Sequence, residues 1–168
     1  MYKSAISILT AAMLFAGVVG CNSKQSEEQV KATTTSLMAI NNGMDSVFNQ
    51  LKQSYETFQP IEMDRALDGM NAYIEKAAGS LRSMKIEGDC KVLSDAIAEK
   101  AETMRKIAST EAREQVRIYK IPDADFTDDL RKQWDNISAT VDKKMSDANA
   151  KVSEAINVIN QKRQKSAK

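Results

Sequence analysis

Two thiols, 23 carboxylates and no imidazole set the chemistry open to this chain. Without histidine, neither a Ser-His-Asp triad nor a Cys-His pair can be assembled. The Glu-x-x-His ligands of a di-iron bundle and a Cys-x-x-Cys-His haem attachment site are excluded on the same ground. The six glycines are scattered, so no phosphate-cradling loop is written. Asp123, Asp125, Asp128 and Asp129 lie close enough in sequence to gather round a calcium ion, but they lack the spacing of an EF-hand loop. Acids at a helix start account for two of them. The methionines are spread along the chain, as gap-filling core residues are. An enzyme working through carboxylates alone is the weakest reading, and no catalytic residue, cofactor or metal is assigned. What remains is cysteine: Cys21, at the end of an apolar run, and Cys90, between Asp89 and Lys91.

The setting of Cys21 carries the strongest signal. Lys3 supplies a short positive region, and Ala5 to Val19 contains no charge. That run is about 15 residues, whereas a helix crossing the hydrocarbon core takes about 20. A positive start, a short apolar core and small residues at its end make a signal peptide. Val18, Val19, Gly20 and Cys21 resemble a lipobox, the recognition site of the bacterial lipoprotein family. The resemblance covers residues 1–21. It implies diacylglycerol on the Cys21 sulfur, cleavage before Cys21 and a further acyl chain, such as palmitate, on the new amine. Several acyl chains on one residue anchor stably, each buried methylene contributing about 0.8 kcal/mol. An ordinary signal peptide that ends in Cys, or a short membrane anchor, is the competing reading. With Cys21 acylated, Cys90 has no partner within the chain and is either a free or half-buried thiol or the site of a disulfide to another molecule.

Two further resemblances concern the envelope. Lys24-Gln25-Ser26-Glu27-Glu28 resembles the charged motif after the lipidated cysteine of Bacteroidetes surface lipoproteins. Asp45-Ser46-Val47 resembles the three-residue O-glycosylation motif of that phylum, which would need Ser46 exposed although Val47 sits on an apolar stripe. Asn22 is not the aspartate that retains enterobacterial lipoproteins at the inner membrane. All three lean towards the outer membrane, on its periplasmic or surface face, and the whole layout loosely resembles small helical surface lipoproteins.

The elements that would position any site are helices. Leu37, Ile40, Met44, Val47, Leu51, Tyr55 and Phe58 form a first stripe at helical spacing, ending near Pro60. Leu67, Met70, Ile74, Ala77, Leu81 and Met84 form a second, with Gly88 as its C-terminal cap and Asp89 as the cap of the next helix. The third, Leu93, Ile97, Ala101, Met104, Ala108 and Ile118, is the weakest, because Glu111 and Gln115 fall on or near it. After a connection from Tyr119 to Phe126, Thr127 or Asp125 opens the fourth. Its stripe is Leu130, Trp134, Ile137, Val141, Met145, Ala148, Val152, Ala155 or Ile156, and Ile159. Short connections make an all-α, antiparallel up-down-up-down four-helix bundle, an elongated rod roughly 40 Å long at 1.5 Å per residue. A longer three-helix or extended coiled-coil arrangement is the alternative.

The organisation expected is a signal peptide over residues 1–20, a lipidated tether over 21–28, a bundle domain over 29–162 and a basic tail over 163–168. Removing the signal takes away Lys3 alone and leaves 23 charges of each sign, a balance unlike that of a nucleic-acid binder. In the bundle, Lys162, Arg163, Lys165 and Lys168 return to the lipid end, where they either touch an anionic membrane surface or simply suit a helix C-terminus. Phe58, Tyr119, Phe126 and Trp134, with Tyr55, Pro60, Ile61 and Pro122, collect at the far end. There they either form a partner-binding surface, since Tyr and Trp are common interface anchors, or plug the end of the core. The reading that follows is a lipid-anchored, non-enzymatic module that binds another envelope protein; the alternative is a carrier of an apolar ligand or lipid in the bundle core. Replacing Cys21 by Ser is expected to leave the precursor uncut and without incorporated palmitate, as gel mobility and labelling with radioactive palmitate would show.

Overall fold

Each stripe folds as a helix in the computed structural model, which describes residues 26–166. Cys21, the rest of the lipobox, Lys24 and Lys168 lie outside the described residues. The chain runs α1 (Glu27–Glu56), α2 (Pro60–Met84), a 3-10 turn (Gly88–Cys90), α3 (Lys91–Ser109), α4 (Glu111–Tyr119), a second 3-10 turn (Asp123–Asp125) and α5 (Asp128–Ser166). Among the described residues there is no strand, and no helix is long and apolar enough to cross a membrane.

Local chemistry explains where the helices start and stop, and it moves several expected boundaries. Ser26 and Gln29 form a capping box: the Ser26 hydroxyl accepts from the Gln29 N–H at 3.2 Å, and the Gln29 side chain accepts from the Ser26 N–H at 3.0 Å. Glu27 and Glu28, read above as the end of the tether, are therefore the first turn of α1, where their charge suits the positive helix end. Pro60 opens α2, a position where its missing N–H costs nothing. The left-handed cap of α2 is Lys85 (φ 45°), not Gly88, and Gly88 instead starts the 3-10 turn with φ 65°. Asp89 does not cap α3; its carboxylate accepts from Lys162 at 2.8 Å. Thr127 does open α5, its hydroxyl accepting from the Leu130 N–H at 3.3 Å. The tail expected over 163–168 is helical through Ser166, because α5 continues for 39 residues, about 58 Å at 1.5 Å per residue.

The expected third helix is two segments. Thr110 departs from helical geometry (φ −122°, ψ −83°), and its hydroxyl donates to the Lys106 carbonyl at 2.7 Å. A β-branched residue whose side chain bonds the preceding turn bends a helix in this way. Together α3 and α4 make the third arm of an antiparallel up-down-up-down bundle.

Ion pairs between helices mark its register. Glu75 pairs with Arg105, Asp64 with Lys120, Lys52 with Asp142 and Glu27 with Arg163, all at 2.8–2.9 Å. Glu99 with Lys151 and Glu111 with Lys144 continue the α3–α4 to α5 seam. At Glu111, burial alone would push the carboxyl up, but hydrogen bonds from Lys144 and Thr110 outweigh it and hold the group below the usual range.

The third arm lies at the centre, packed against α1, α2 and α5. That position explains why its stripe looked weakest. A helix covered on more than one side buries residues beyond a single face, and Ile107, Ala112, Gln115 and Val116 are buried as well as Leu93, Ile97, Met104 and Ile118. On α1, Leu37, Met44, Phe48 and Leu51 fill the core, while Ile40 and Val47 lie half-buried at its edge. On α5, Val141, Met145, Val152, Ala155 and Ile159 are buried, whereas Leu130, Trp134, Ile137 and Ile156 are only partly covered. Met44, Met63, Met70, Met104 and Met145 are core residues. Cys90 is fully buried rather than half-buried, 3.6 Å from the Val30 carbonyl and 3.7 Å from the Thr34 hydroxyl.

One core position is charged. Lys100 has no exposed surface, and its ammonium donates to Asn41 Oδ1 at 2.8 Å and to Asp45 Oδ1 at 2.6 Å. Asn41 is itself buried and donates to the second Asp45 oxygen at 3.2 Å. A buried ion is tolerated only when it is paired and hydrogen-bonded. Asp45→Ala, which strands the ammonium, is expected to destabilise the fold by about 3 kcal/mol or more. Lys100→Met removes the ion together with its need for partners and is expected to cost clearly less. Urea unfolding followed by circular dichroism gives both values, and the opposite order would contradict this account of the core.

Candidate functional site

The end of the bundle farthest from Ser26 is built by two connections, Thr57–Gln59 between α1 and α2, and Lys120–Thr127 between α4 and α5. In the first, Thr57 closes the last turn of α1: its hydroxyl donates to the Ser54 carbonyl at 2.7 Å and accepts from the Gln59 N–H at 3.3 Å. Between them, Phe58 takes a left-handed conformation, φ 56°, which disfavours any residue with a Cβ and a bulky one most. In the second, the Pro122 carbonyl accepts from the Asp125 N–H at 2.8 Å. Lys120 ties this connection to α2 through both oxygens of Asp64, at 2.9 and 2.8 Å.

These turns bring the expected aromatics together in two tiers. The inner tier is a chain of edge contacts: Tyr55 to Trp134 with ring centroids 5.1 Å apart, and Tyr119 to Trp134 at 5.5 Å. Phe58 lies tilted against Tyr119 at 5.9 Å. Such geometries contribute about 0.5–1.5 kcal/mol each beyond burial. The Tyr55 hydroxyl donates to Gln115 Oε1 at 3.1 Å, and Gln115 donates to the Ser138 hydroxyl at 2.9 Å, so one polar thread joins α1, α4 and α5 beneath the rings. Burial pushes the Tyr55 phenol far above its ordinary range. At Tyr119 burial also raises the phenol, helped by the charge of Asp123.

The outer tier faces solvent. Phe58 is 77% exposed, Ile61 64% and Phe126 36%. Phe126 makes no ring contact with the inner tier among the described residues. Tyr55, Tyr119 and Trp134 are half-buried where they touch, while Phe58, Ile61 and Phe126 are exposed.

Of the basic residues expected near the membrane, Lys162 bonds Asp89 and Arg163 bonds Glu27, both at 2.8 Å. Two open surface depressions are lined mainly by polar side chains, one along α1 including Asn42, Ser46 and Asn49, the other including Glu111, Gln133 and Asn136. Ser46 is exposed, but the neighbouring Asp45 is committed to Lys100. Among the described residues no three of His, Cys, Asp or Glu converge as metal ligands, Asp123, Asp125, Asp128 and Asp129 included.

Sequence reasoning passed over the buried triad of Asn41, Asp45 and Lys100, although a signal was present. Leu37, Asn41, Met44, Phe48 and Leu51 alternate steps of four and three, as do Leu93, Ile97, Lys100, Met104 and Ile107, so Asn41 and Lys100 stand in apolar positions of two heptads. The backbone strain at Phe58 has no comparable signal in residue types. No family model, curated protein or solved structure matches the chain.

Phe58→Gly is expected to leave stability unchanged or raise it by up to about 1 kcal/mol, because glycine takes the left-handed backbone without a Cβ penalty and little apolar area is lost. Urea unfolding measures this. Tyr55, Tyr73 and Tyr119 all have phenols raised by burial, so their contribution to stability is complete below the unfolded value of about 10. It is lost as pH rises towards the folded values. A tyrosinate titration by ultraviolet absorbance is expected to show ionisation delayed beyond pH 10 and coincident with loss of helical signal.

Proposed function

We propose that the protein is a lipid-anchored, non-enzymatic interaction module of the bacterial cell envelope, held at the outer membrane through Cys21. In this reading the bundle presents its distal end to another envelope protein. The observation that carries it is the outer tier: three large apolar side chains exposed at one end, one of them held outward at a backbone cost, above an inner tier of half-buried rings that pack on one another. A plug alone has no use for Phe58 and Ile61 in solvent, whereas exposed apolar groups clustered at one place suit a binding surface.

The anchor supplies the orientation. Ser26 begins α1 a few residues after Cys21, so the α2–α3 turn and the C-terminal end of α5 lie at the lipid end and the aromatic end points away. With Lys162 and Arg163 engaged by Asp89 and Glu27, contact with anionic headgroups falls first to Lys165 among the described residues. The filled core, with Leu37, Met44, Ile74, Ile97 and Met104 at 0–1% exposure, favours this reading over an apolar carrier.

In-cell photo-crosslinking from position 124, with the partner read by mass spectrometry, is expected to give one reproducible protein. Phe58→Ala and Phe126→Ala are expected to remove the crosslink while leaving the helical signal intact. Diffuse or absent crosslinks from correctly lipidated protein would reject the proposal.

A further inference from the structure

Folding sorts the charges lengthwise. At the distal end, residues 56–65 and 119–132 hold seven acidic and four basic side chains, a surplus of three negative charges. At the opposite end, residues 26–31, 82–91 and 159–166 hold four acidic and seven basic ones, a surplus of three positive charges. The chain as a whole is nearly neutral, so this polarity arises because the fold brings separate segments to common ends.

Pairing sharpens the distal asymmetry. Arg65, Lys120 and Lys132 are bonded to Glu62, Asp64 and Asp129. Glu56, Asp123, Asp125 and Asp128 are exposed and have no ion pair among the described residues, and Arg131 is the base left to offset them. Three of these carboxylates flank Phe126 in sequence, and the fourth lies two residues before Phe58. The exposed apolar tier is thus bordered by uncompensated negative charge.

Resting on the interaction reading above, we propose that the distal end takes a cationic segment with apolar side chains, a Lys- or Arg-flanked stretch of a partner protein. Its apolar groups cover Phe58, Ile61 and Phe126, and its basic groups meet Glu56, Asp123, Asp125 and Asp128. Electrostatic complementarity of this kind selects partners and speeds encounter, and like charges facing each other are penalised. The same rule disfavours a second copy docked end to end, since two distal surfaces carry the same sign.

Trp134 is the only tryptophan and is half-buried against Tyr55 and Tyr119, so its fluorescence reports on this end alone. The full-length protein in neutral detergent is titrated with three synthetic peptides of equal length: alternating Lys and Leu, alternating Glu and Leu, and Lys with Gly. Saturable change in Trp134 emission is expected with Lys/Leu, at a concentration at least about tenfold lower than with either other peptide. Neutralising three carboxylates (Asp123→Asn, Asp125→Asn and Asp128→Asn together) is expected to weaken Lys/Leu binding at least about fivefold, and Phe58→Ala to weaken it as well. Glu28→Gln, Glu87→Gln and Glu154→Gln together remove the same charge elsewhere and are expected to leave binding unchanged.

Equal binding of Lys/Leu and Glu/Leu, no binding by Lys/Leu, or equal loss in both triple variants would overturn the proposal. So would concentration-dependent self-association through Phe58 without peptide, read by sedimentation. If crosslinking from position 124 still finds one partner in those cases, the interaction module stands and only the assigned partner chemistry falls.

Discussion

A lysine ammonium with no exposed surface has to be satisfied inside the protein, and Lys100 is satisfied only where α1 and α3 lie side by side in one register. Asn41 and Asp45, four residues apart on α1, offer their oxygens on a single helical face. A slip of one turn along the seam would put an apolar residue opposite the charge and leave the ion stranded, at a cost of several kcal/mol. Polar residues in apolar heptad positions often set alignment in this way, at some expense in stability. The remainder of the bundle is arranged around that pairing: α2 and α5 lie against the same third arm, and their charged pairs fall in step with it.

Those surface pairs are consequences of the register more than causes of it. Exposed ion pairs contribute about 0–1 kcal/mol each, and most of the interhelical pairs here are open to solvent on both partners. The core has the larger share through burial, roughly 1.5–3 kcal/mol for each large apolar side chain. Methionine serves such a core well because an unbranched thioether adapts to irregular spaces between helices. The bend at Thr110 then places Gln115 where it can accept from Tyr55 and donate to Ser138, so the geometry of the middle arm reaches the aromatic end.

At that end, packing and exposure are separated by one residue of unusual backbone. Tyr55 is the last large side chain that α1 turns inward, and three residues later Phe58 is directed to solvent by a left-handed conformation. Thr57 holds this turn through its hydroxyl. The result is a set of half-buried rings beside a small exposed apolar surface with carboxylates close by in sequence. That division of labour suits a rod whose proposed role is to present one end.

The sequence by itself determined the helical class, the second stripe from Leu67 to Leu81 and most of the fourth, because an amphipathic helix writes its buried face as a repeating spacing. It also located the two connections that meet at the aromatic end, through Pro60, Pro122 and Thr127. The buried triad left a trace in the heptad positions of Asn41 and Lys100, but a polar residue on a stripe reads first as an interruption until its partner on another helix is known. Only the tertiary structure decided that the third arm is central, since covering on several sides erases the single-faced pattern that periodicity detects. It alone decided that Cys90 is enclosed, that Asp89 serves Lys162 instead of a helix end, and that opposite charges separate to opposite ends. Each depends on which distant segments become neighbours, and spacing along one chain carries information only about neighbours on the same helix.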